Sequence, residues 1–269
     1  GADDKMKKNS IFEEVSVTIE KPTVLFEQIH TETEMLEARS ADIAETDIAS
    51  ALPFGDDKIW YYDPAHGRRV GRLKLQSGLL LRSPPGDIVE LGSGAGNNLA
   101  LFIRCLKTTH DQATTIYGFD TFEGYIKEHI DQEPSKYASL LKENQDSGRW
   151  HQSKDDLQAK LSSLVDFVNI ELVKGDICET TKNFQPRSKA IGMVNIDTNV
   201  YKPAIEALYN LEKYFVDNTL LIVDSGFLNP GEPLQGEHRA LYEYATKRNY
   251  PIFKSKWGDY CSFITVVQK

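Results

Sequence analysis

The sequence predicts an α/β fold: a doubly wound, mostly parallel seven-stranded sheet with helices on both faces and a C-terminal antiparallel hairpin. Three observations carry this. From residue 87 onward, strand-length apolar runs alternate with helical patterns, as in a βαβ series. The inner runs are continuously apolar rather than alternating, which is expected when helices cover both faces of a parallel sheet. The last two runs are separated only by Trp257-Gly258-Asp259, too short for a crossover helix, so they must run antiparallel.

Taken in order, the strands are expected at Asp87–Leu91, Thr115–Phe119, Phe167–Val173, Ile191–Ile196, Thr219–Val223, Ile252–Lys256 and Cys261–Val267. Helices are expected between them at Asn97–Thr108, Pro203–Tyr214 and Glu237–Arg248. Residues 125–165 are charged and helix-prone, and read as an insertion above the sheet. Upstream, residues 1–85 are expected to form a helical and lid segment packed on the core, leaving residues 86–269 as the ligand-binding domain. Thr31-Glu32-Thr33-Glu34 fits a capping box, and Met35, Ile43, Ile48 and Leu52 fall loosely on one helical face. Phe54 to Gly71 is rich in glycine, aspartate and aromatics and reads as the lid, where Trp60, Tyr61 and Tyr62 could wall a pocket. Ser83-Pro84-Pro85-Gly86 ends the helix that precedes the first strand.

The 31 basic and 40 acidic residues give a net charge of −9, which argues against nucleic acid or an anionic membrane as partner. No apolar run approaches the ~18 residues of a membrane helix. Cys105, Cys178 and Cys261 are scattered, with neither a CxxC pair nor a zinc spacing, and are expected as reduced thiols in a cytoplasmic protein. The opening residues lack the apolar stretch of a signal peptide, with Met6 as the expected natural start.

The sharpest motif is Glu90-Leu91-Gly92-Ser93-Gly94-Ala95-Gly96-Asn97, which follows a buried-type strand and opens an apolar helix. Its glycines fall at 92, 94 and 96. In the dinucleotide pattern GxGxxG the third glycine would fall at position 97, which is Asn97. The spacing instead fits E/DxGxGxG, whose ligand is S-adenosylmethionine. Glu90 would fix the loop or meet the ligand's ammonium, Gly92, Ser93, Gly94 and Gly96 would shape it, and the helix start at Asn97 would favour the ligand's carboxylate. Asp120 closes the second strand, where a carboxylate can accept from both ribose hydroxyls of the adenosyl ligand or of a nicotinamide cofactor; Thr121 follows it. After the third strand, Asp176 could accept from the adenine amino group and Ile177 could cover the ring. Either a capping turn or this ligand role suits Asp176. Asp197 ends the fourth strand and Asp224 the fifth, where two carboxylates could hold a hard divalent ion or act as a base.

These segments resemble the macrocin O-methyltransferase-like family. The likeness rests on the glycine loop, on Gly118-Phe119-Asp120-Thr121-Phe122-Glu123-Gly124, on Asp197-x-Asn199-x-Tyr201, on Ala207-Leu208-Tyr209-Asn210-Leu211 and on Ile222-Val223-Asp224. It spans roughly residues 86–250. It implies a Rossmann-like class I enzyme that uses S-adenosylmethionine to methylate sugar hydroxyls of natural products. In that family the fourth-strand motif is Asp-x-Asp-x-Tyr, with the second Asp the proposed base, and the fifth strand ends in Asp-Asp. Here Asn199 and Ser225 take two of those places. Asp197 and Asp224 match metal positions, but with two carboxylates fewer no metal is assigned and a divalent cation is not expected to be required. A neutral amide cannot act as base. Asp197, His66 in the lid and His238 after the fifth strand are therefore the candidate proton acceptors.

The expected function is methyl transfer to a small-molecule acceptor, most simply at a hydroxyl, by a chain that forms homo-oligomers, if at all, through its N-terminal segment. An NAD(P)-dependent oxidoreductase and a non-methylating adenosylmethionine-binding protein are the alternatives.

Overall fold

The structure is a computed structural model; it describes residues 80, 83–108, 111–148, 152–162, 164, 168–223, 226–227, 234–257 and 260–269. The expected helices and lid before residue 80, including His66 and Trp60 to Tyr62, lie outside the described residues, as do Asp224 and Ser225.

The chain runs β1 (Asp87–Leu91), α1 (Asn97–Thr108), β2 (Thr115–Asp120), α2 (Lys127–Ile130), α3 (Ser135–Asp146), α4 (Lys154–Ser162), β3 (Asn169–Lys174), α5 (Ile177–Thr180), β4 (Ile191–Ile196) and α6 (Tyr201–Leu211). A single 3-10 turn at Glu212–Tyr214 leads into β5 (Phe215–Val223), followed by β6 (Gly226–Phe227), α7 (Gly236–Arg248), β7 (Ile252–Trp257) and β8 (Tyr260–Val266). The sheet order is β3-β2-β1-β4-β5-β8-β6, with β7 also on β8. The first five strands are parallel and β8 is antiparallel to β5, β6 and β7.

The strand count corrects the expectation of seven. The eighth strand is the two-residue β6, which pairs with Tyr260 and Cys261 of β8 while β5 pairs with Ile264 to Val266. Because β7 pairs with that same stretch of β8, β5 and β6 must share the other edge. Two residues are too few to leave a periodic signal in sequence.

Each inner strand is buried on both faces, and consecutive side chains enter different cores. Ile88 of β1 packs with Leu99, Phe102 and Ile103 of α1 and with Leu157 and Leu161 of α4. Its neighbours Val89 and Leu91 pack on the other face with Ala204, Leu208 and Leu211 of α6 and Leu241 and Tyr244 of α7. At ~1.5–3 kcal/mol per fully buried large apolar side chain, this double burial holds β1 and β4 at the centre. It also explains why α4, drawn from the charged segment after β2, is a crossover helix: Leu157 and Leu161 are its buried stripe. By contrast α2 and α3 build a small cluster of Ile130, Ala138, Leu141 and Val200, against which Tyr125 and Tyr137 pack.

The N-terminal edge of the sheet is tied by Asp87. Its carboxylate accepts from Thr115 N at the start of β2 (3.0 Å) and from Ser188 N before β4 (2.9 Å). A buried carboxylate with two backbone donors is satisfied where a lone one would be costly.

Candidate active site at the carboxyl edge

From β1 the chain goes out to β2 and β3 on one side, then returns to β4 on the other. Such a reversal opens a crevice at the carboxyl ends of β1 and β4, the usual ligand site of doubly wound sheets. The glycine loop and Asp197 both arise there.

The loop is set by its backbone. Gly92 N donates to Phe119 O (2.8 Å), Gly96 N to Ser93 O (2.8 Å), and Ala100 N to Gly96 O (2.9 Å) starts α1. Gly92 has φ +86°, and a Cβ there would stand 2.2 Å from Asp197 O, so no other residue fits where the β4 end crosses the loop. Gly94 differs: a Cβ there would meet nothing within 4 Å, which makes its outer face open ground above the loop. Asp120 binds the loop to the following turn, its Oδ2 accepting from Gly94 N (3.0 Å) and its Oδ1 from Phe122 N (2.8 Å). Thr121 Oγ lies 3.4 Å from Oδ1 as well, although its proton is shared with Gly124 O; a carboxylate offers about four lone-pair directions, so acceptor capacity remains for hydroxyls of a ligand.

The other sequence-predicted residues separate into those at the crevice and those that support it. Glu90 is fully buried in the sheet under the loop, accepting from Asn195 Nδ2 of its in-register partner on β4 (3.2 Å). Asn97 opens α1, with Ser93 and Asn98 buried on either side of it. Ser93 Oγ and Asn98 Oδ1 have no hydrogen-bond partner among the described residues. Buried polar atoms in that condition fit a polar ligand at the loop. Thr121 Oγ accepts from Glu123 N (3.1 Å) and donates to Gly124 O, shaping the turn after Asp120. Asp176 caps α5 by accepting from Cys178 N (2.9 Å), and Ile177 is buried in the core of the α6 face.

Asp197 follows β4, its amide donating to Leu91 O (2.8 Å) so that the strand end is locked beside the loop. Two residues on, Asn199 adopts φ +57°, a left-handed conformation that Asn tolerates better than most side chains. Three bonds fix it. Its N–H donates to Glu237 Oε2 (2.7 Å), its carbonyl accepts from Tyr137 OH (2.6 Å), and its Nδ2 donates to Tyr125 OH (3.0 Å). Gly236, with φ +57°, lets α7 begin against this residue, since a Cβ there would lie 2.4 Å from Asn199 O. Beside them Glu133 accepts from Tyr201 N (2.6 Å) and Gly236 N (3.4 Å).

The electrostatics of this corner are acidic. Burial and then the negative charges of Asp197 and Glu237 push the Tyr125 phenol far above its ordinary range, and Asp120 adds to it. Burial, Glu237 and Glu133 do the same to Tyr137. Both phenols therefore stay protonated. Because Tyr125 OH already accepts from Asn199, its own proton is left to be donated. The neutral Asn199 amide adds no further negative charge to a corner where Asp197 and Glu237 already act on Tyr125.

His238, in the first turn of α7, is buried with its ring edge-on to Phe263 at 5.2 Å between centroids. Tyr125, Tyr137, Glu133 and Glu237 were missed by sequence reasoning. Glu237 left one signal, an acid in the first turn of an expected helix. The other three left none, since they reach Asn199 and Tyr201 across 62 to 74 positions of sequence.

Fold and loop together define a doubly wound, Rossmann-like protein with a glycine loop at the end of β1. Residues 89–226 match a family described as a methyltransferase domain, and the chain belongs to that family: it is a methyltransferase. Among solved structures it is similar to the O-methyltransferase NovP, with 17% identity over 74% of this chain and 80% of that one and a TM-score of 0.61. The calicheamicin methyltransferase CalS11 is 18% identical over 96% of both chains, with a TM-score of 0.54. At these identities the likeness is one of fold. No curated protein matches the sequence. No helix among the described residues is long and apolar enough to cross a membrane.

Proposed function

We propose that this enzyme transfers the methyl group of S-adenosylmethionine to a hydroxyl of a small molecule, in the manner of the macrocin O-methyltransferase-like enzymes. The observation that carries the reading is the pairing of an open glycine loop, held by Asp120, with Asp197 fixed on the next strand end across the crevice. NovP is described as an O-methyltransferase, and CalS11 as a TDP-rhamnose 3'-O-methyltransferase of calicheamicin biosynthesis, which supports a sugar or natural-product hydroxyl as acceptor.

When bound, S-adenosylmethionine supplies an electrophilic methyl carbon on a sulfonium. The chain's own residues do the rest. Asp120 accepts the ribose hydroxyls with the lone pairs the loop leaves over. Ser93 and Asn98 satisfy polar groups of the ligand above the loop, and the start of α1 at Asn97 receives its carboxylate. Asp197 accepts the proton of the acceptor hydroxyl, while Tyr125, held by Asn199, donates to the same acceptor and orients it. Positioning of this kind supplies much of the rate in an in-line displacement. His238 and His66 are the reserve bases. With Ser225 where the family carries its last metal carboxylate, a divalent cation is not expected to be required.

The test is methyl transfer from labelled S-adenosylmethionine to a panel of sugar and polyketide alcohols, with NADP binding as the control. Turnover on at least one alcohol is expected; NADP binding without adenosylmethionine binding would discard the reading.

A further inference from the structure

Away from the glycine loop, at the carboxyl end of β3, three side chains of different chemistry converge. His129, in α2, presents Nε2 at 3.5 Å from Asp176 Oδ2 and 3.9 Å from Cys178 Sγ. One ligand atom from each of the three lies within 4.8 Å of the others, and His129 and Cys178 are buried. This is not a catalytic relay. In a Cys-His-Asp triad the thiol and the acid address opposite nitrogens of the imidazole, whereas here both face the same nitrogen.

The geometry points to a binding site for a borderline divalent transition metal, of which zinc is the type, held by His129 Nε2, Asp176 Oδ2 and Cys178 Sγ. Bond lengths of about 2.0–2.1 Å to nitrogen, 2.0–2.2 Å to oxygen and 2.3 Å to sulfur put the ligand atoms of a tetrahedral zinc about 3.4 Å (N to O) and 3.6 Å (N to S) apart. The N–O and N–S separations already present differ from these by a few tenths of an ångström. Nitrogen and sulfur donors exclude magnesium and calcium, which take oxygen. Asp176 is already divided in its tasks: Oδ1 caps α5 through Cys178 N, which fixes the carboxylate and leaves Oδ2 aimed at His129. Asp176 is also the most exposed of the three, so the fourth position faces water. Lys202 and Glu206 of α6 bring charges of opposite sign toward both His129 and Cys178, and Glu128 of α2 adds a negative charge beside His129.

Binding replaces the thiol proton of Cys178 by the metal, and that proton passes to the buffer. The site joins α2, in the segment after β2 that also bears Tyr125, to the end of β3. It thus holds the acceptor corner to the sheet, and it stands independently of which methyl acceptor the enzyme uses.

The whole chain, stripped of metal by a chelator and then freed of it, is titrated with zinc alone against a chromophoric competitor. One zinc per chain is expected, with affinity lowered at least tenfold in His129→Ala and in Cys178→Ser. Cobalt(II) should give a near-ultraviolet thiolate-to-metal absorption that disappears in Cys178→Ser. Circular dichroism of the metal-free variants checks their folding, and Asp176→Asn, which keeps a capping oxygen, is the second variant should one not fold. Absence of stoichiometric zinc in the wild type, or variants that bind as tightly as it does, overturns the site. Adenosylmethionine affinity of the metal-free chain is read separately, so its failure and that of the metal site are distinguishable.

Discussion

The two banks of the crevice are built in different ways. On the β1 bank, loop, helix start and glycines come from one continuous stretch, residues 90–98, and Asp120 ties them to the next strand. On the β4 bank nothing is continuous. Asn199 is held by Glu237 from α7 and by Tyr125 and Tyr137 from the segment after β2. On the proposed function, the first bank takes one common ligand with one backbone shape, so its instructions are local. The second would then be the one shaped to a particular acceptor, with side chains borrowed from α7, from α3 and from the turn before α2, which can vary separately.

If the two banks divide the work in this way, substitutions on one should leave the other's function intact. The largest expected effect is at Asp197. Asp197→Asn keeps shape and loses basicity, so turnover should fall ~10²–10⁴-fold, the usual worth of a general base, with adenosylmethionine affinity nearly unchanged. Steady-state kinetics and calorimetry on one preparation check both halves. Full activity in this variant, with His238→Ala dead, would move the base to α7.

Next is Glu237→Ala, which strands the Asn199 N–H. It should cost ~1–3 kcal/mol of stability, the price of an unsatisfied buried donor, and raise the acceptor KM; denaturant unfolding and kinetics measure the two. Tyr125→Phe should be milder, about 1 kcal/mol, again with a higher acceptor KM and an unaltered adenosylmethionine Kd. An equal loss of affinity for both ligands would mean that the banks are one structure.

The smallest effect concerns pH. Burial raises the Glu133 carboxyl above its ordinary value, against the pull of its bonds from Tyr201 and Gly236 and of Arg239. In the window between the unfolded and the raised native value, the native state binds more protons, so this group adds stability as pH falls through that window and withdraws it as pH rises. Stability curves of wild type and Glu133→Gln should therefore diverge in slope there, the wild type gaining relative stability on acidification.

The same division explains what the sequence could tell. The strands β1, β2, β4 and β5 were legible because burial on both faces leaves mostly apolar runs, as in Ile191 to Ile196, broken only by the buried Asn195 that pairs with Glu90. The loop was legible because a contiguous spacing carries its shape. Element ends shifted where packing outweighs pattern: β5 begins at Phe215 rather than Thr219, because Phe215 is buried under α7 beside Tyr244 while Asp217 and Asn218 are exposed. Asp176 showed its capping role in sequence, but not the imidazole 3.5 Å from its other oxygen. Asn199 read as a missing base, and only the structure shows that its three bonds to distant residues make it a support for Tyr125.

The central claim is that the β1 bank holds S-adenosylmethionine through Asp120, and calorimetry tests it most directly. The wild-type chain should bind one adenosylmethionine. Asp120→Ala, which removes the carboxylate shared between Gly94 and the ribose hydroxyls, should lose ~2–4 kcal/mol, since hydrogen bonds to a charged group are worth ~1.5–3 kcal/mol each and do not fully add. An unchanged affinity in Asp120→Ala would contradict the assignment.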